Sequence, residues 1–162
     1  MDELGGGLVT RAGEARAIRE SGFNVLVYAT TELTKGAFSL IETVEQDPGG
    51  GPPLHVHRDA AESFYVIAGA YEMNVNGRVF ECPAGSFVYV PRGTAHTFRV
   101  TEAASRKLNL YTPSAMEGYF EELSEALRRG VDEAALTEIA DRYQMDVLGP
   151  APQSYLERPG GD

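Results

Sequence analysis

A single cysteine, Cys82, occurs in the 162 residues. An intrachain disulfide and a cysteine-rich zinc site are both excluded. Basic clusters are missing as well: 14 Lys and Arg stand against 24 Asp and Glu, for a formal net charge of −10. Polyanions and anionic surfaces are poor partners for such a chain, so neither nucleic acid nor a membrane is expected. No apolar stretch approaches the ~18 residues that a bilayer-spanning helix needs. Met1-Asp2-Glu3-Leu4-Gly5 has neither the positive charge nor the apolar run of a secretory signal, which sets a cytoplasmic location as the expectation. Histidine is scarce too, and all three copies fall between Gly49 and Val100.

Hydrophobic residues at 43% and charged residues at 23% are the balance of one ordinary globular domain. The 18 glycines and nine prolines are spread through the chain, which suits many short strands joined by tight turns. Residues 1–22 are mixed in phase and admit short edge strands or a loose helix. From there, β-branched and aromatic runs recur at intervals of roughly ten residues as far as residue 113. They include Asn24 to Ala29, Ala37 to Val44, His55 to His57, Glu62 to Ala70, Tyr71 to Val75, Arg78 to Cys82, Ser86 to Val90, Thr94 to Val100 and Arg106 to Thr112. Asn76-Gly77 is a strong two-residue hairpin signal. The expectation is all-β, a sandwich or barrel over residues 23–113.

The period then changes to helical. Met116, Tyr119, Phe120, Leu123 and Leu127 share one helical face, Ser114 with Glu117 reads as a capping box, and Gly130 as a C-terminal stop. A second helix starts near Asp132, with Leu136, Ile139, Ala140 and Tyr143 on one side. These helices, over residues 114–145, are expected to lay their apolar stripes on the outside of the barrel. Residues 146–162, rich in proline and glycine, read as a tail.

Side chains on a strand alternate faces, so His55 and His57 project to the same side. With the Glu62 carboxylate and the His96 imidazole alongside, they make a site for one divalent transition metal: Fe, Mn, Co, Ni, Cu or Zn. Lone histidines on strands usually serve packing, but here every histidine of the chain falls in the pattern. Four protein ligands leave one or two positions open on such an ion, as catalysis requires. Alternation places Phe64 and Val66 on the face of Glu62, and Phe98 and Val100 on that of His96, with Met73 joining from the hairpin. A mostly apolar pocket for a small organic substrate follows. Cys82 reads as a small core filler, and Arg92 as a solvated turn residue.

The same residues resemble a known family. Gly49, five intervening residues, His55-x-His57, Glu62 and Gly69 are similar to the first motif of the cupin superfamily. Gly85, Pro91, Gly93 and His96 are similar to its second. The resemblance covers residues 49–96 and departs at Val100, where the family pattern often has Asn. It implies a double-stranded β-helix (the jelly-roll cupin barrel) with two short C-terminal helices, His55, His57, Glu62 and His96 as metal ligands, and a homodimer. The small cupins of the quercetin (flavonol) 2,3-dioxygenase type are the most similar in design, and the run from Pro113 to Phe120 resembles the segment after their barrel. That implies a dioxygenase acting on a hydroxylated aromatic, flavonol- or polyketide-like molecule, with dioxygen as co-substrate and Glu62 as ligand and base. The alternatives are a non-redox metal-dependent cyclase or isomerase, and a small-ligand-binding cupin without turnover.

Overall fold

Strands made by alternating apolar residues need a second layer to cover their inner faces, and here two antiparallel sheets supply it for each other. The computed structural model describes residues 2–4, 7–20, 23–44 and 47–149. The N-terminal part holds β1 (Asp2–Leu4), β2 (Gly7–Val9), β3 (Arg16–Glu20), β4 (Phe23–Ala29), the short α1 (Thr31–Thr34) and β5 (Ser39–Val44). The central part holds β6 (His55–His57), β7 (Ala61–Ala68), β8 (Ala70–Val75), β9 (Arg78–Pro83), β10 (Phe87–Val90), β11 (His96–Val100) and β12 (Arg106–Thr112). Two helices and a strand complete it: α2 (Glu117–Arg129), α3 (Glu133–Arg142) and β13 (Met145–Val147).

The larger sheet runs in the order β10-β7-β12-β5-β4-β3 and the smaller in the order β13-β6-β11-β8-β9. Together they form the expected jelly-roll barrel. The hairpin between β8 and β9 turns at Asn76 and Gly77, both with positive φ, the type I′ geometry that matches strand twist. Gly51 lies so close to β11 that a Cβ there would stand 1.8 Å from the Phe98 carbonyl oxygen. A side chain at that position would wedge the entry of β6 away from the sheet.

Two apolar clusters divide the interior. Phe64, Val66, Tyr71, Met73, Cys82, Val90 and Val100 fill the closed end of the barrel. Ile18, Val25, Val27, Ile41, Tyr111, Met116, Ala140 and Met145 join the sheets to the C-terminal elements.

Those C-terminal elements depart from expectation in three ways. The apolar face of α2 does not lie on the outer wall: Met116, Tyr119, Phe120, Leu123 and Leu127 share a cavity lining with His55, His57 and Glu62. The helix pair thus closes over the barrel mouth and buries its apolar side chains there. Ser114 does not cap α2 either. The N-cap is Met116 in the left-handed region without a side-chain cap, while Glu117 accepts from the Thr31 backbone N–H at 2.7 Å and from its hydroxyl. Finally, Met145–Val147, which the sequence places partly in the tail, is a strand paired antiparallel with the histidine strand β6. The rest of that tail, residues 150–162, lies outside the described residues.

Candidate metal centre

His55 and His57 sit on β6 at positions i and i+2, on the same face, and both are buried. β11 pairs antiparallel with β6 so that His96 lies directly opposite His55. The turn leading into β11 is pinned to the same strand, since the Gly93 N–H donates to the His57 carbonyl at 2.8 Å. Glu62 enters from the other sheet, near the start of β7. One ligand atom from each of His55, His57, Glu62 and His96 lies within 4.8 Å of the others, and all four side chains are buried. The four residues singled out in the sequence are thus brought together.

The hydrogen bonds fix which atoms face inward. His55 Nδ1 donates to the Pro53 carbonyl at 2.8 Å, and His96 Nδ1 to the Thr94 carbonyl at 2.9 Å. Each ring then presents Nε2 to the cluster, the arrangement by which outer partners orient metal-binding imidazoles. Glu62 Oε2 stands 3.0 Å from His57 Nε2 and 2.9 Å from His96 Nε2. A ring nitrogen whose partner nitrogen already carries the proton offers a lone pair, and a carboxylate oxygen offers only lone pairs. Such acceptors converge stably only around a cation, either protons or a metal ion. Three imidazoles and a carboxylate therefore fit a first-row divalent metal, held by His55, His57, Glu62 and His96.

Burial and mutual contact shift these groups in different directions. Burial, followed by the charges of His96 and His57, lowers His55 from 6.5 to about 3, so it is neutral at any ordinary pH. Burial alone would raise the Glu62 carboxyl, but hydrogen bonds from His57 and His96 and their charge hold it well below the usual range. For His96, burial lowers the pKa and the Glu62 hydrogen bond outweighs it, leaving a net rise.

Two residues on β12 complete the carboxylate's surroundings. Asn109 Nδ2 donates to Glu62 Oε1 at 3.0 Å. Tyr111 lies directly across the ladder from Glu62, and its phenol is pushed well above the usual range by burial and then by the charge and hydrogen bond of Glu62. Neither residue stands out in the sequence. Period-two alternation along Arg106–Thr112 carries the signal, because Lys107, Asn109 and Tyr111 share the inward face.

Beside His55, His57 and Glu62 lies a cavity of about 130 Å³. Phe64 and Phe98 wall it from the barrel and Tyr119, Phe120, Leu123 and Leu136 from the helices. Of the five residues expected around the substrate, Phe64 and Phe98 do reach this space. Val66, Met73 and Val100 do not line it. They point inward as alternation requires, but lie one layer deeper, packed into the closed end with Tyr71 and Val90. Parity fixes the face of a strand and not the depth within the barrel.

Comparison with known proteins agrees with this geometry. Residues 42–108 match the family profile of the cupin domain. Quercetin 2,3-dioxygenase of Bacillus subtilis is 25% identical over 99 residues, which are 61% of this chain and 29% of that protein. The chain thus spans under a third of the curated relative's length. An RmlC-like cupin from Shewanella frigidimarina superposes with a TM-score of 0.58 at 18% identity, covering 68% of this chain and 93% of that one. Pac13 of Streptomyces, described as a nucleoside dehydratase, superposes with a TM-score of 0.52 at 14% identity, covering 65% and 81% respectively.

Proposed function

The chain carries a cupin domain, and from that premise we propose that it is a metal-dependent enzyme of the dioxygenase type acting on a compact hydroxylated apolar molecule. The observation that carries the reading is Glu62: a buried carboxylate within the ligand cluster that also lines an apolar cavity. A bound metal supplies Lewis acidity toward a substrate oxygen and, if redox-active, an electron for dioxygen. Glu62, whose buried carboxylate lines the cavity, accepts the proton of the substrate hydroxyl. Asn109 keeps Oε1 occupied and so limits rotation of the carboxylate. Phe64, Phe98 and the α2 side chains exclude bulk water, which strengthens each polar contact inside.

The cavity constrains the substrate. At about 130 Å³ it is well below the ~300–1,000 Å³ of pockets for drug-sized ligands. With α2 in place it admits a single hydroxylated ring or an equally small diketone, and a flavonol-sized molecule requires α2 to move. The likeness to quercetin 2,3-dioxygenase supports oxygen chemistry, though only over the cupin segment.

A second reading, a non-redox cyclase or isomerase, draws support from the Tyr111–Glu62 pair. A neutral phenol beside a carboxylate is an acid and a base in one cavity, enough to move a proton without oxygen. Oxygen consumption by the metal-loaded protein against a panel of small phenols, enols and diketones separates the two. Substrate-dependent uptake of one dioxygen per turnover is expected; product formed at an unchanged rate under nitrogen would overturn the dioxygenase reading.

A further inference from the structure

Lys107 is a charged side chain in the middle of the barrel, fully buried. Its ammonium lies 3.7 Å from the Phe98 ring centroid, 5.0 Å from that of Tyr71 and 5.7 Å from that of Phe64. An isolated ammonium in such a place is strongly disfavoured, and cation–π contacts offset only part of that cost. A hydroxyl partner leads toward the metal site. Lys107 Nζ donates to Thr43 Oγ1. The Thr43 hydroxyl donates to Asn109 Oδ1 at 3.4 Å, and Asn109 Nδ2 donates to Glu62 Oε1 at 3.0 Å.

This chain of bonds has one consistent direction. An ammonium can only donate, so Thr43 Oγ1 must accept from it and spend its single proton elsewhere. That proton goes to the Asn109 carbonyl oxygen, which leaves the amide nitrogen facing Glu62. A carboxylate can only accept, so the last bond has the polarity that the first one sets. Each donor is polarised by the one before it, in surroundings of low dielectric where such chains reinforce.

We propose that Lys107 is a positioning residue for the metal centre: through Thr43 and Asn109 it holds Glu62 Oε1 and so reserves Oε2 for the metal. The inference rests on the reading of Glu62 as a ligand. Lys107 touches neither metal nor substrate. With the relay broken, Oε1 is released and the carboxylate turns freely, so the site binds its ion less tightly and in a less regular geometry.

Stability and metal affinity respond differently to this arrangement, which gives the test. Lys107→Met keeps the stem and suits the aromatic surroundings. Thr43→Val keeps the shape of the threonine but strips the ammonium of its hydroxyl partner. The single variant Thr43→Val is therefore expected to lower the unfolding midpoint of the metal-free protein most. The double variant is expected to recover it, because both polar partners are then replaced by apolar ones. Cobalt(II) affinity, read from the visible absorption of the cobalt-loaded protein, is expected to fall by about tenfold to a hundredfold in Lys107→Met, in Thr43→Val and in the double variant alike. The cobalt bands should shift as the carboxylate changes its binding mode. A double variant with restored stability and cobalt affinity within tenfold of wild type would reduce Lys107 to a packing residue and overturn the proposal. Failure of the wild-type protein to bind cobalt would instead refute the metal centre itself, and the relay with it. If Lys107→Met does not fold, the double variant alone decides, since it removes the buried ammonium together with its hydroxyl partner.

Discussion

At the scale of single residues, the centre is an arrangement of titratable groups whose protonation opposes metal binding. His55, lowered from 6.5 to about 3 by burial and by the other two imidazoles, is neutral when folded and binds a proton more readily when unfolded. Between those limits the unfolded chain holds the extra proton, so the stability that His55 contributes is fully present above pH 6.5 and is lost as pH falls toward 3. Glu62, held below its ordinary 4.5, adds a loss in the same direction once pH passes under that value. His96 runs the other way: its raised pKa contributes stability present below 6.5 and lost as pH rises. The metal-free protein is therefore expected to lose stability on acidification, most steeply under pH 4.5, where His55 and Glu62 act together. Urea midpoints measured in chelator across pH 3–7 check this, and His55→Gln should flatten the profile. An unchanged midpoint over that range would contradict the buried, neutral state of His55.

At the scale of elements, the decisive joint is between the histidine strand and the C-terminal segment. Arg58, just after β6, donates through Nη2 to both the carbonyl and the carboxylate of Asp141 at 2.9 Å. Its Nε reaches Gln144 Oε1 at 3.2 Å, and Nη1 pairs with Asp146. One guanidinium thus ties α3 and β13 to the strand that carries His55 and His57. The group is a third exposed, so solvent screens its ion pairs and the tie rests on their number and geometry. Arg58→Ala is expected to loosen β13 while leaving the barrel intact. Hydrogen exchange checks this: amides of Met145–Val147 and of β6 should exchange several-fold faster, with β8 and β12 unchanged. Uniform acceleration throughout would show a global effect instead.

This joint also marks how far the sequence could be read. The β-strands were legible because alternation is local, and the amphipathic faces of α2 and α3 because helical spacing is local too. The four clustered residues were legible because the chain's only three histidines and Glu62 stand at motif spacing. Where those helices dock was not legible: Tyr119, Phe120 and Leu123 look the same whether they cover an outer wall or a mouth. Nor was the start of α2, where Met116 adopts a left-handed backbone with φ of 72° and the expected Ser114 cap is unused. Asn109 and Lys107 were hidden for a different reason. Their roles depend on the diagonal neighbours that register sets across the sheet, and single-strand alternation does not supply those.

At the scale of the whole molecule, the two sheets, the helix pair and β13 all converge on one cluster, so a ligand there is coupled to global stability. β6 and β11 come from the smaller sheet, β7 and β12 from the larger, and the cavity roof from α2 and α3. An ion that bridges the sheets binds the native state and has no comparable site in the unfolded chain, so the coupling follows mass action. At a metal concentration of a hundred times Kd this amounts to about 2.7 kcal/mol, or roughly 5–10 °C in melting temperature for a chain of this size. Protein purified without chelator is expected to lose that increment on treatment with a strong chelator and regain it when a divalent metal is restored. His96→Ala removes one ligand, so it should hold far less metal and melt at the same temperature with or without chelator. The comparison that matters is wild type against His96→Ala in both states: a chelator effect of equal size in the two proteins, or equal metal content by elemental analysis, would mean that the metal sits somewhere other than among His55, His57, Glu62 and His96.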